Sequence, residues 1–232
     1  MTVLQRWVIR LFLLFCLPFS LAGQTYYVTG YFDLWQLTIS GGSCTYNTIG
    51  SYNLPGNPAM TDIAICSNGT LYGSTSNEIW EINLATAAAT LVLSGSNLNI
   101  TGLVCAGNDI LYASCFQGAI YEINVTLGIF TLLGSTGLYN ASDLVFSNGS
   151  LYMTGTQTMN QNPDLLVEVN LMDPANSSVV MSSNETGFFN GLCLGDFCNA
   201  LLTGGTSVVS IPLILAGSTL AIVAITFDPD HP

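Results

Sequence analysis

Asp62 and Asp143 head two similar apolar stretches, Asp-Ile-Ala-Ile and Asp-Leu-Val-Phe, among the 14 acidic residues of this 232-residue chain. Oxygen ligands of this kind suit Ca²⁺. Paired carboxylates also carry out glycoside hydrolysis when they stand ~5 to 9 Å apart. A carboxylate at a strand head more commonly caps a turn or accepts backbone N–H groups, and that is the favoured reading here. Asp62 and Asp143 are therefore the candidate ligand-binding residues and Ca²⁺ the one ion they suggest, with no catalytic set assigned. Glu81, Glu122 and Glu168 recur in the related stretches Ile-Trp-Glu-Ile-Asn, Ile-Tyr-Glu-Ile-Asn and Leu-Val-Glu-Val-Asn. Repetition of that kind indicates a structural or solvated role. The Asn closing each stretch, Asn83, Asn124 or Asn170, suits the turn that follows.

Other chemistries lack their residues. The lone histidine, His231, stands beside the last residue, and the two basic residues, Arg6 and Arg10, both lie in the first ten positions. Ser-His-Asp, His-based zinc and Lys Schiff-base catalysis have no support. Nucleic-acid backbones and transferring phosphoryl groups find no cation to hold them. Charged residues make up 7 % of the chain against a usual quarter, so Ser, Thr, Asn, Gln and Gly must cover the surface.

The basic residues belong to a leader. Residues 1–22 combine Arg6 and Arg10, an apolar run, and small residues at Ser20 and Ala22, which reads as a secretory signal peptide cleaved after Ala22. Its loss takes two positive charges away and moves the formal net charge from −12 to −14. The expected location is secreted or extracellular, periplasm or cell surface in a bacterium. Six cysteines then remain, an even number that suits an oxidising compartment. Cys193 and Cys198 flank a possible Gly195-Asp196 hairpin turn, which would bring them face to face for a disulfide. Cys44, Cys66, Cys105 and Cys115 are read as small buried side chains.

What positions all these groups is a repeat. Leu71-Tyr72, Leu111-Tyr112 and Leu151-Tyr152 follow one another at intervals of 40 residues. Before each comes a strand and a tight turn, ending in Asn68-Gly69, Gly107-Asn108 and Asn148-Gly149, a strong hairpin signal. After each comes a third strand carrying the recurrent Glu, then a fourth, as in Thr90-Leu-Val-Leu93 and Thr131-Leu-Leu133. Four short antiparallel strands per repeat make a blade of an all-β β-propeller.

The chain ends complement each other. Tyr26 to Thr29, Leu34 to Leu37 and Cys44 to Ile49 match strands two, three and four, with no first strand before them. Residues 191–222 match a further blade, and 225–227 one more first strand. A blade built from both termini would remove exposed sheet edges. The 210 residues that follow the leader divide into five repeats of 42. The expected architecture is thus one domain, 23–232, with five four-stranded blades, one shared between N- and C-terminal strands. Residues 51–60 and 157–163 are read as surface loops inserted into the repeat.

These motifs, Asp62 to Tyr72, Ile79 to Asn83, Gly102 to Tyr112, Ile120 to Asn124 and Asp143 to Tyr152, resemble those of secreted YVTN-like, NHL-like and quinoprotein-like β-propellers. The resemblance implies architecture, and such families include binding modules, scaffolds and some enzymes. The cations with which NHL-type RNA binders hold the backbone are missing, so no nucleic-acid partner is carried over.

Three features complete the reading. Residues 208–227 have the apolar character of a membrane span, but Pro212, Gly217, Ser218 and the β-branched content fit strands, so no stable membrane insertion is expected. Seven Asn-x-Ser/Thr sequons occur, at Asn68, Asn99, Asn124, Asn140, Asn148, Asn176 and Asn184, two of them in hairpin turns. Tyr31, Trp35, Phe116, Phe188 and Phe189 are aromatics available for stacking on a carbohydrate. The expected function is a secreted non-enzymatic binding or scaffolding module for a protein or neutral glycan. The alternative is a carboxylate-dependent glycoside hydrolase.

Overall fold

A computed structural model describes residues 24–40, 43–107, 109–139, 143–159 and 165–182. The strands are β1 (Gln24–Thr29), β2 (Asp33–Ser40), β3 (Ser43–Ser51), β4 (Asp62–Ile65), β5 (Leu71–Ser74), β6 (Glu78–Ile82), β7 (Ala89–Ser94), β8 (Ile100–Cys105), β9 (Ile110–Cys115), β10 (Ala119–Asn124), β11 (Ile129–Ser135), β12 (Leu144–Ser147), β13 (Ser150–Gly155), β14 (Leu165–Val169) and β15 (Ser178–Ser182). They form four antiparallel meanders, β1-β2-β3, β4-β5-β6-β7, β8-β9-β10-β11 and β12-β13-β14-β15. First strands of successive sheets touch, β4 on β8 and β8 on β12, while β4 also meets β1. Radial sheets meeting along their first strands define a β-propeller. Four blades are described where five were expected, and residues 191–227, assigned to the remainder, lie outside the described part.

Period-2 alternation gives each blade two apolar faces, and each face packs on a neighbour. On β6, Trp80 and Ile82 join Leu34, Tyr52 and Met60 of the preceding blade and its connection, whereas Ile79 on the other face joins Ile100, Leu111 and Ile123 of the next. Ile120, Leu151, Met153 and Val167 build the following interface.

The recurrent glutamates lie in cross-strand rows. Tyr72 stands opposite Glu81, itself opposite Thr90; Tyr112, Glu122 and Thr131 repeat the row, as do Tyr152, Glu168 and Ser178. In the first blade the row is neutral: Tyr27, Gln36, Asn47. The Tyr112 hydroxyl donates to Glu122 Oε2 (3.0 Å) and the Ser150 hydroxyl to Glu168 Oε1 (2.6 Å), so two of these carboxylates are tied within their own blades. Burial and the Glu122 carboxylate push the Tyr112 phenol up to about 12. Register also shifts at one repeat position in every blade, at Leu34/Trp35, Ile79/Trp80, Ile120/Tyr121 and Leu166/Val167. A bulge there adds local twist between third and fourth strands.

Turn chemistry divides what the sequence treats alike. Asn148-Gly149 is a two-residue turn with both residues left-handed (φ 51° and 85°), joining paired Ser147 and Ser150. At Asn68-Gly69 only Gly69 is left-handed (φ 87°), in a longer turn closed by Cys66 N–H donating to the Thr70 carbonyl. The third-strand asparagines accept from the turns they open: Asn83 Oδ1 from Ala85 N–H (2.9 Å), Asn124 Oδ1 from Leu127 N–H (2.9 Å) and Asn170 Oδ1 from Met172 N–H (3.0 Å).

Two expectations need correction. Cys66 and Cys105 are not separate buried thiols; they form a disulfide, with Cα atoms 5.3 Å apart. Equivalent ends of adjacent first strands lie side by side, which brings together residues 39 apart in sequence. Cys115 is buried and free, its thiol pushed up to about 12 by burial. The side chain of Cys44 and the pair Cys193 and Cys198 lie outside the described part. The insertion at 51–60 is likewise more than a surface loop, since Tyr52, Leu54 and Met60 are buried. Gly73 explains Met60: a Cβ at Gly73 would stand 2.6 Å from Met60 Sδ, so the methionine fills space that a side chain on β5 would occupy.

Candidate functional site

The blades expose two different ends. One carries the hairpins between first and second strands, together with the disulfide. The other carries the connections between blades, and there stand Asp62 and Asp143, at or just before the start of their blades' first strands.

Asp62 is 3 % exposed and bridges two blades. Its Oδ1 accepts from its own neighbour, Ile63 N–H (2.8 Å), and its Oδ2 from Leu103 N–H (2.6 Å) on β8. Burial, and next the Asp143 carboxylate, raise its pKa well above the ordinary carboxylate value; the two N–H donors oppose that shift. Asp143, 5 % exposed, accepts from Leu144 N–H through Oδ1 (2.8 Å). The equivalent residue between them in the ring is Gly102. A Cβ there would meet Ser114 Oγ at 2.5 Å and the Asp143 Cα and N at 3.1 and 3.2 Å, so glycine permits the close approach of blades three and four. This geometry makes Asp62 an inter-blade fastening. Among the described residues no group of three or more His, Cys, Asp or Glu side chains is arranged to hold a metal ion.

The same end carries an aromatic ledge. Between β1 and β2 the chain turns at Gly30, whose N–H donates to the Asp33 carbonyl (2.9 Å), and projects Tyr31 and Phe32, 40 % and 44 % exposed. Their ring centroids are 6.3 Å apart. The 51–60 connection locks this turn: Tyr52 N–H donates to the Phe32 carbonyl and Met60 N–H to the Tyr31 carbonyl, both at 2.9 Å. Beneath, the Tyr52 hydroxyl donates to Thr29 Oγ1 (2.8 Å), and burial raises its pKa. Asn53 and Asn57, both left-handed (φ 53° and 52°), shape the connection. Together with Tyr31, Phe32, Leu54 and Pro58 they border a shallow, solvent-open dip in the surface. The Ser51 hydroxyl donates to Asp33 Oδ1 at its edge.

Of the aromatics singled out in the sequence, Tyr31 belongs to this ledge. Trp35 is half-buried against Tyr46, with centroids 6.4 Å apart, and Phe116 is half-buried. Phe188 and Phe189 lie outside the described part. Phe32, Asn53 and Asn57 were not singled out. The signal that could have found them is length: among the described residues the first blade-to-blade connection is the longest, and an insertion beside a tight turn is where a repeat departs from pure packing.

No protein-family model and no curated protein matches the chain. Among solved structures it is similar to a chain of a nidogen/laminin complex (16 % identity, 69 % of this chain and 66 % of that chain, TM-score 0.48). It is also similar to a structural genomics protein of unknown function from Bacteroides thetaiotaomicron (16 % identity, 73 % and 47 %, TM-score 0.49). The chain thus spans about two thirds of the one and about half of the other. The propeller assignment rests on this chain's own sheets.

Proposed function

We propose that this chain is a secreted, non-enzymatic five-bladed propeller that binds a protein or a neutral glycan at its connection end. The observation that carries the reading is the Tyr31–Phe32 ledge: two exposed aromatic rings whose backbone carbonyls are both held by a separate connection. Such anchors lose little entropy on binding. The neighbouring amides of Asn53 and Asn57 supply neutral polar partners, and no cation is available to recognise an anionic ligand. The Cys66–Cys105 disulfide fits an oxidising compartment, as the leader does. The fifth blade is assigned to residues 191–222, with 225–227 completing the three-stranded first sheet.

A glycan array, run beside affinity capture from extracellular material, tests the reading with Tyr31→Ala and Phe32→Ala variants. Binding lost in both variants, with the melting temperature retained, supports the ledge. Binding indifferent to both overturns it, and turnover of a chromogenic glycoside abolished by Asp62→Asn would replace it with a hydrolase.

A further inference from the structure

In an antiparallel meander the first-to-second and third-to-fourth turns fall at the same end, so the hairpins and the asparagine turns share one face of the ring, opposite the aromatic ledge. Four of the five described Asn-x-Ser/Thr sequons lie there. Asn68-Gly-Thr70 and Asn148-Gly-Ser150 form the hairpins of the second and fourth blades, while Asn124-Val-Thr126 and Asn176-Ser-Ser178 sit at the third-to-fourth turns of the third and fourth. Asn99, the fifth, precedes β8 at the connection end. Asn140 and Asn184 lie outside the described part.

Turn geometry accounts for several of these asparagines but not for the hydroxyl two residues on. Asn83 and Asn170 accept turn bonds as Asn124 does, yet they are followed by Ala85 and Met172 where Asn124 has the exposed Thr126. The fourth blade returns a sequon to the same turn through a different, exposed residue, Asn176, so the repeat does not hand it down. The amides can also carry a substituent. Asn68 and Asn124 hold their turns through Oδ1, from Thr70 N–H (3.0 Å) and Leu127 N–H (2.9 Å), which leaves Nδ2 unused by the turn. Asn176 Nδ2 donates to Asp173 Oδ2 (2.6 Å), a bond that one remaining N–H can still make. In these two third-to-fourth turns stand exposed apolar side chains, Leu127 at 67 % and Met172 at 93 %. No lysine or arginine follows position 10 to cover them.

We propose that Asn68, Asn124, Asn148 and Asn176 carry N-linked oligosaccharides, which make the hairpin end a glycan-covered face opposite the Tyr31–Phe32 ledge. This rests on the secreted reading, because the transfer takes place on exported chains. In each transfer the bond from Nδ2 to C1 of the first sugar forms as the bond from C1 to a lipid-linked pyrophosphate breaks; the pyrophosphate leaves with the electron pair, and the amide gives up one proton to the transferase. Glycans are bulky and solubilising. At Asn124 and Asn176 they shield Leu127 and Met172, taking the part that charge plays on an ordinary surface, since about a quarter of residues are usually charged and here 7 % are.

The test is mass spectrometry of the native protein recovered from extracellular material of its own source. Chymotryptic peptides are read after enzymatic glycan release in heavy-oxygen water, which marks each formerly glycosylated Asn as a labelled Asp. The expected result is a chain starting at Gly23 with label at all four positions. In a eukaryotic secreting host, Thr126→Ala and Ser178→Ala each remove one glycan without altering the asparagine and keep the native circular-dichroism spectrum; together they raise aggregation several-fold. A chain that starts at Gly23 with Asn124 and Asn176 bare overturns the proposal and leaves the secreted reading standing, whereas residues 1–22 retained on an unmodified chain overturn both. Label confined to Asn99 overturns it as well, and a double variant as soluble as wild type overturns the shielding.

Discussion

The Cys66–Cys105 bridge closes a loop that contains three strands of the second blade and most of β8, with a sequence separation of 39. In the chain-entropy treatment a closed loop of that length removes about 13 cal/mol/K from the unfolded ensemble, or about 4 kcal/mol at 25 °C. Opening the bridge is therefore expected to cost about 4 kcal/mol and, for a domain of this size, to lower the melting temperature by about 8 to 16 °C. Three samples separate the sources of the loss: oxidised wild type, reduced wild type, and the Cys66→Ala/Cys105→Ala double variant, each unfolded in urea and followed by circular dichroism. Cross-linking predicts that reduced protein and double variant fall together, and that Cys66→Ala alone falls as far as the double. If reduced wild type keeps its stability while the double variant loses it, the cysteines act through packing. A loss below about 1 kcal/mol in all of them would refute the loop-closure reasoning itself.

Three further expectations follow from the connection end. The raised pKa of Asp62 means that the folded protein holds a proton more tightly than the unfolded chain. Its contribution to stability is therefore complete below the ordinary aspartate pKa and lost as pH rises through the folded value; thermal melts from pH 4 to 8 should show a decline that Asp62→Asn flattens. Gly102→Ala must displace Ser114 Oγ or the backbone of Asp143, at an expected cost of about 1 to 3 kcal/mol in urea unfolding. With both Asp62 oxygens engaged by backbone N–H groups, adding Ca²⁺ to chelator-treated protein should leave the melting temperature unchanged; a clear rise would reassign Asp62 and Asp143 as ion ligands.

Features carried within one blade were legible in the sequence. Leu71-Tyr72 with Glu81 and Thr90 already describes a row across three strands, because alternation places every second residue on one face and short turns set the register. The asparagine turns at Asn83, Asn124 and Asn170 were readable for the same local reason. Features that join two blades were not. Asp62 meets Leu103 N–H across 41 residues, Met60 fills the space over Gly73, and Cys66 finds Cys105 rather than remaining a buried thiol. Each depends on how neighbouring first strands, or a connection and a strand, are set side by side, and no local pattern records that.

The near absence of cationic side chains, the repeat of about forty residues and the strand order within a blade follow from the order of residues alone, because composition and period-2 alternation act over a few positions. Tertiary structure decided which cysteines pair, that Asp62 fastens two blades, and that an unremarkable insertion holds Tyr31 and Phe32 exposed. These are contacts between segments far apart in the chain, made only when the inter-blade cores of Ile79, Trp80, Leu111 and their neighbours bring the blades into register.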